Sequence, residues 1–181
     1  MLFTPDTELS LGFVAALADT VPAASASGTD ELDDPAIYAQ LFKDWRYSGR
    51  LDHDAAELAA VKDARTRLEA IWHLDKDGVV DAVNRILADA EAVPRLVKHD
   101  GMDWHIHATS PEAPLAERVL VEAAMALVDV VRADALDRLR DCEAEDCEGI
   151  FVDLSKNGSK RYCSARCGNR MNVRAYRERQ A

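Results

Sequence analysis

Apolar residues recur at three- and four-residue intervals along most of this chain, the signature of helices with one buried face. Leu9, Phe13, Val14 and Leu17 predict a first helix over Leu9 to Thr20. The next stretch, PAASASGTDELDD, is small and polar, and reads as a long mobile loop. Asp34-Pro35 is a helix entry, a capping side chain followed by proline in the first turn. The helix it opens carries Ile37, Leu41, Phe42 and Trp45 and is expected to stop near Gly49. A third helix, from about Asp54 to His73, turns Leu58, Val61, Leu68, Ile71 and Trp72 inward and is broken by Asp77-Gly78. Val79, Val83, Ile86, Leu87 and Ala90 mark a fourth.

The period then changes. VPRLVKH and MDWHIHAT alternate apolar and polar positions on either side of Asp100-Gly101, a strong hairpin signal. After Pro111 and Pro114 comes the longest helix, Leu115 to Arg132, with Leu120, Ala124, Leu127, Val128 and Val131 on its inner face. Ala133 to Arg140 reads as a short helix leading into the cysteines. Trp45, Trp72 and Trp104 are expected in the core or covering the hairpin. His105 and His107 share a strand face, where half-buried packing is the simpler role than metal ligation.

Composition adds bounds. The 181 residues suit one domain, or one domain with a small appended module, and 48% hydrophobic with 30% charged residues is an ordinary globular balance. No apolar run approaches the roughly 18 residues of a membrane span, and MLFTPDTELSLGF has no basic region ahead of an apolar stretch. A cytoplasmic protein without membrane partners is expected. The net charge of -11 is unevenly spread. From Ser155 onward eight basic residues face one acid, Glu178, for +7, so residues 1–154 hold -18. An acidic body with a basic tail signals contact with a polyanion, or a tail folded back on its own body.

All four cysteines fall in this tail region, spaced Cys142-x4-Cys147-x15-Cys163-x3-Cys167. Disulfides would fit a secreted chain, and buried or redox thiols are a further reading. Two short-spaced pairs about 15 residues apart match the ligand arithmetic of one tetrahedral zinc ion. Ile150 to Val152, a turn at Asn157-Gly158 and a return strand Lys160 to Tyr162 would form a hairpin that brings the second pair back to the first. Cys163 and Cys167 then start a helix. About 40 residues hold too little core to fold without such a staple. Four thiolates close the coordination sphere, and no histidine follows residue 141, which disfavours a treble-clef nuclease. With no Gly-rich phosphate loop or nucleophile motif either, no enzyme is expected.

The helix after Cys163 carries Arg166, Arg170, Arg174 and Arg177 within an arc of about 80°, at 100° per residue. Asn169 and Asn172 lie beside them and could read base edges; Lys156, Asn157, Lys160 and Arg161 add charge and polarity at the hairpin tip. A basic helix held by a rigid zinc site suits phosphates or a major groove. A solvated or salt-bridged terminal helix is the plainer alternative. The acids Asp141, Glu143, Glu145, Asp146 and Glu148 around the first cysteine pair would repel phosphate, which leaves the tip and helix as the nucleic-acid face.

Phe151, Asp153, Ser155, Lys156, Asn157, Arg161, Tyr162, Cys163 and the run Cys167-Gly168-Asn169-Arg170 resemble the CGNR zinc finger, with Tyr162 where tryptophan is usual. The helices ahead of it resemble the ABATE domain, partner of that finger in bacterial stress-induced transcription regulators. The resemblance implies that the four cysteines hold one structural zinc and that the Arg-rich helix meets DNA. The expected architecture is mostly α: an N-terminal helical domain with one β-hairpin over residues 1–137, then a small treble-clef-like zinc finger (knuckle, β-hairpin, C-terminal helix) over 138–181. The expected function is a DNA-binding regulator whose helical domain senses an effector or forms a homodimer. The alternatives are RNA binding, or a basic helix that docks on an acidic protein surface.

Overall fold

The computed structural model describes residues 2–98 and 103–180. Helix α1, Pro5–Ala18, starts a turn before Leu9 because Pro5 presets the first helical position behind Thr4. Its Leu11, Phe13, Val14 and Leu17 are buried. Phe13 meets Phe42, Trp45 and Tyr47 at ring-centroid distances of 5.5, 6.0 and 4.5 Å. Gly12 permits this: a Cβ there would stand 2.8 Å from the Trp45 ring.

Helix α2, Pro35–Asp44, is capped by Asp34, which accepts from the Ala36 and Ile37 amides. It ends well before Gly49. Arg46 takes a left-handed φ of 59°, and the Tyr47 amide turns back to the Phe42 carbonyl, which drives Tyr47 against Phe13. Ile37, expected inside, is exposed, and Tyr38 takes the buried position. Helix α3, Ala55–Trp72, begins at Asp54, whose carboxylate accepts from the Glu57 amide. Buried Glu57 in turn accepts from Asp52 N, His53 N and the Tyr38 hydroxyl. The break after α3 falls at His73–Leu74, and Asp75 caps α4, Lys76–Asp89, by accepting from Gly78 N. Asp77-Gly78 therefore lies in the first turn of α4, not between the helices. Its polarity and glycine suit a helix start as well as a break.

Strands β1, Arg95–Val97, and β2, His105–His107, pair antiparallel with Leu96 opposite Ile106. The Asp100-Gly101 turn lies outside the described residues. Trp104 is 67% exposed and does not cover the hairpin, whereas Trp72 is core and Trp45 is half-buried. Helix α5, Leu115–Arg132, matches its predicted span and packs on α1, α3 and α4, with Val119, Val121, Ala124 and Val130 buried. Val128 and Val131 are half-buried at the edge of the core.

The stretch after α1 is not the free loop its composition suggests. Leu32, in a 3-10 turn Glu31–Asp33, is 1% exposed in the core. Arg65 of α3, almost fully buried, donates to both oxygens of Asp30 at 2.9 and 2.8 Å and to the Thr20 hydroxyl. Leu32 and long-range ion pairs from Arg65 and Lys62 of α3 pin it, and none of these appears in a local pattern. The Arg65 guanidinium beside Asp30 holds that carboxyl well below the usual carboxylate range. A depressed pKa contributes stability that is present above the unfolded value and lost as pH falls through the folded one. Asp30→Asn is therefore expected to lose about 3 kcal/mol near neutral pH by leaving Arg65 half-paired. Its deficit against the parent should shrink below about pH 4, where the unfolded chain's carboxyl takes up a proton that the folded one still refuses. Urea melts of both proteins across that range check this; a deficit independent of pH would refute it.

The tail departs from the predicted hairpin. Leu136–Arg138 is a 3-10 turn, not a helix to Arg140, and runs into β3, Leu139–Asp141. This strand pairs antiparallel with β4, Ile150–Val152, placing Leu139 opposite Val152 and Asp141 opposite Ile150. The hairpin thus encloses the first cysteine pair. Lys160 to Tyr162 form no return strand; β4 pairs with β3 instead. That limb is held by side chains: Asp153 accepts from the Ser155 and Lys160 amides at 2.9 Å each, and Arg140 donates to the Gly158 and Lys160 carbonyls. Gly158 sits at a φ of 60°, as the Asn-Gly turn requires. Helix α6, Ala165–Glu178, completes the chain. Ile150 and Val152 enter the same apolar core as α1, so the finger is packed on the helical body. Mostly helical, with one hairpin in the body and a knuckle, hairpin and helix at the end, this is the expected fold class. Among the described residues no helix is long and apolar enough to cross a membrane.

Candidate metal centre and nucleic-acid interface

Cys142 follows β3, Cys147 lies in the β3–β4 connection, Cys163 precedes α6, and Cys167 sits in the first turn of α6. Local hydrogen bonds set each one. Cys142 N donates to Gly149 O at 2.8 Å, Cys147 N to Ala144 O at 3.0 Å, and Cys167 N to the capping Ser164 hydroxyl at 3.3 Å. The four Sγ atoms all lie within 4.8 Å of one another, with Cys147–Cys163 and Cys163–Cys167 at 3.8 Å. Zinc bound tetrahedrally at about 2.3 Å from sulfur needs sulfur–sulfur edges of about 3.8 Å. A disulfide needs about 2.05 Å, and all four thiols are free. The donors fit one zinc ion with no coordination position left for water, a structural site.

The surroundings suit a cluster that carries surplus negative charge. Gly149 N and Cys163 N donate to Cys147 Sγ and Cys142 Sγ at 3.4 Å, and Arg170 reaches Cys167 Sγ at 3.6 Å. Burial raises the Cys147 and Cys163 thiols above the ordinary value. It also acts on Cys167, but hydrogen bonds from Ser164 and the neighbouring thiols outweigh it and leave that thiol lowered. Asp19 at the end of α1 accepts from Ile150 N at 2.8 Å and ties the helical body to the strand beside the cysteines. A Cβ at Gly149 would come within 3.0 Å of both Asp19 carboxylate oxygens.

The predicted nucleic-acid residues are placed as follows. Arg166 donates to the carbonyls of Ala24 and Ser25 in the loop after α1. Arg170 pairs with Asp146 at 2.7 Å, Arg174 with Glu145 at 2.7 Å and Glu178 at 3.1 Å, and Arg161 with Glu143 at 2.7 Å. The acids around the first cysteine pair thus sit against the arginines they were expected merely to stand apart from. Lys156 and Asn157 are exposed at the loop tip; Lys160 is exposed with its ammonium 4.7 Å over the Phe151 ring. Arg177 is exposed, and among the described residues no carboxylate lies within ion-pair distance of it. Asn169 and Asn172 face solvent together with Val173 and Tyr176, which are 50% and 59% exposed. Sequence reading passed over this apolar pair; its three-residue spacing on the face away from Cys167 is the signal that marks it. His105 and His107 do share a face, with their Nε2 atoms 2.9 Å apart. Among the described residues no group other than the four cysteines brings three such donors close enough to hold an ion.

A two-part chain, helical body and thiolate-centred finger with a cationic terminal helix, has the architecture of a zinc-finger regulator. Residues 8–134 match the family model described as "Putative stress-induced transcription regulator", the ABATE domain, and residues 138–180 match the CGNR zinc finger. The chain belongs to the ABATE family, and neither model describes a family of enzymes. No curated protein matches the chain.

Proposed function

We propose that this protein is a DNA-binding transcription regulator, with the zinc finger as its nucleic-acid contact and the helical body as its sensing or dimerising part. The observation that carries this is the presentation of α6. A four-thiolate site anchors its first turn, and its outward face carries Asn169, Asn172 and Tyr176 flanked by Arg177, while Lys156 and Asn157 are exposed at the tip of the preceding loop. Amide and phenol groups there suit base edges and stacking, and the flanking cations suit phosphates. Arg170 and Arg174 are held by Asp146 and Glu145 in solvent-screened, exposed pairs that contribute little, so phosphate could displace the carboxylates at small cost.

That same pairing supports a second reading, in which the basic helix docks on an acidic protein surface. Fluorescence-anisotropy titration of the zinc-loaded chain against a random-sequence duplex at two salt concentrations tests both. Regulator function predicts binding that weakens steeply with salt. Lys156→Ala/Arg174→Ala/Arg177→Ala should lower the log–log slope by about 0.9 for each phosphate no longer neutralised. Glu145→Gln/Asp146→Asn should tighten binding by freeing two guanidinium groups. A duplex ignored at low salt, with a polyglutamate chain bound instead, would favour the protein-docking reading.

A further inference from the structure

The helical body contains a cavity of about 340 Å³ that the zinc finger does not touch. It lies between the first turns of α1, the turn after α2, the β1–β2 hairpin and the outer face of α5. A volume of that order suits a small organic ligand. Part of its wall is apolar: Trp45, Tyr47, Met125 and Val128. The rest is charged.

Most of those charges are already engaged. Arg118, 4% exposed, donates to Ala113 O at 3.1 Å and to the Ser48 and Arg50 carbonyls. Glu122 faces His107 Nδ1 at 3.3 Å, and Asp129 accepts from the Thr7 hydroxyl at 2.6 Å. His105 Nδ1 lies 2.7 Å from Asp103 O. Among the described residues these imidazoles and Glu122 do not bring three donor atoms close enough together to hold an ion. Three cations remain at the mouth: Arg46, Arg95 and Arg132. Among the described residues no carboxylate lies within ion-pair distance of them, and Asp6 is the cavity carboxylate left without a partner. This positive mouth belongs to a body whose sequence carries a large acidic excess. A rim of uncommitted guanidinium groups over an aromatic and aliphatic floor matches an amphipathic anion, because planar guanidinium groups bind carboxylate or phosphate in paired hydrogen bonds.

We propose that this cavity is a binding site for a small organic anion, with its carboxylate or phosphate at Arg95 and Arg132 and its apolar body against Trp45, Met125 and Val128. It would serve as the effector site of the helical body. The site is read without nucleic acid, so its failure is distinct from failure of DNA binding.

The test titrates the zinc-loaded full chain, without DNA, with naphthalene-2-carboxylate, 2-naphthyl phosphate and neutral naphthalene-2-methanol, followed by calorimetry and by amide chemical shifts. One anion per chain is expected, with shifts at His105, His107, Met125 and Arg132, and the neutral probe about tenfold weaker or worse. The better of the two anions assigns the headgroup. Arg95→Ala/Arg132→Ala removes two exposed side chains, so it should fold as the parent does and weaken the anion about tenfold. Arg67→Ala/Arg85→Ala, exposed and outside the cavity, should change nothing. The proposal is overturned if no probe binds up to its solubility limit, if charged and neutral probes bind alike, if the shifts map elsewhere, or if the Arg95/Arg132 variant binds the anions as the parent does.

Discussion

Stripping zinc from the purified protein is expected to unfold the finger and to lower the melting temperature of the helical body with it. Structural zinc in modules of this kind supplies about 10–16 kcal/mol of folding free energy, more than the finger's few buried side chains can replace. The cluster around Cys142, Cys147 and Cys167 adds only Ala144, with Tyr162 and Met171 half-buried beside it. Without the ion, the ties left among the described residues between α6 with the segment entering it and the β3–β4 connection are one backbone hydrogen bond, from Glu143 N to Arg161 O at 2.9 Å, the Cys163 amide on Cys142 Sγ, and the exposed ion pairs of Arg161, Arg170 and Arg174. The effect must spread because Ile150 and Val152 lie in the core beside α1. Exposing two such side chains costs about 3–6 kcal/mol, which for a chain of this size lowers Tm by at least about 6 °C. Metal analysis should find one zinc per chain, and Cys167→Ser should reproduce the chelated state. A chelated protein that keeps its melting temperature and its α6 amide signals would contradict the structural role assigned here.

The second large effect is expected at Asp153. This carboxylate is fully buried, accepts from Ser155 N and Lys160 N, and lies 3.5 Å from the Arg140 guanidinium. Burial alone would raise its pKa, but those hydrogen bonds and the charge of Arg138 outweigh it and leave it lowered. Arg138 and Arg140 donate to carbonyls of the same loop, including Ser155 O and Gly158 O. Asp153→Ala would leave the Ser155 and Lys160 amides without their acceptor and remove the charge that faces Arg140, at a cost of about 3–5 kcal/mol. Asp153→Asn keeps the shape but turns one acceptor into a donor, so it should lose less. Urea unfolding of both variants, with zinc retention measured alongside, checks the order. A loss under about 1 kcal/mol for the alanine variant would show that the loop does not depend on this carboxylate.

The cysteine ligands were legible because their chemistry is local: two short-spaced pairs carry the ligand arithmetic in the chain itself. The span of α5 was legible for a similar reason, since Pro114 marks its start and the apolar period runs unbroken to Val131. The hairpin of the finger was misassigned because Leu139–Asp141, which pairs with β4, carries no turn signal linking it to Ile150–Val152. Asn157-Gly158 signals a turn, and it makes one, but Asp153 rather than a strand ladder holds the far limb. The end of α2 was misplaced because a left-handed Arg46, not the visible Gly49, turns the chain.

The basic stripe shows the same division. Its residues and their angular spacing follow from the sequence alone, as do the zinc ligands, the helices and the charge contrast between body and tail. These depend on backbone geometry over one to three turns. Only the tertiary structure decided that Arg170 and Arg174 lie against Asp146 and Glu145, that Arg166 is held by the loop after α1, that Asp30 finds Arg65, and that a cation-rimmed cavity opens beside α5. Each of those is an encounter between side chains far apart in the chain, and no local period encodes which carboxylate or carbonyl a guanidinium will meet.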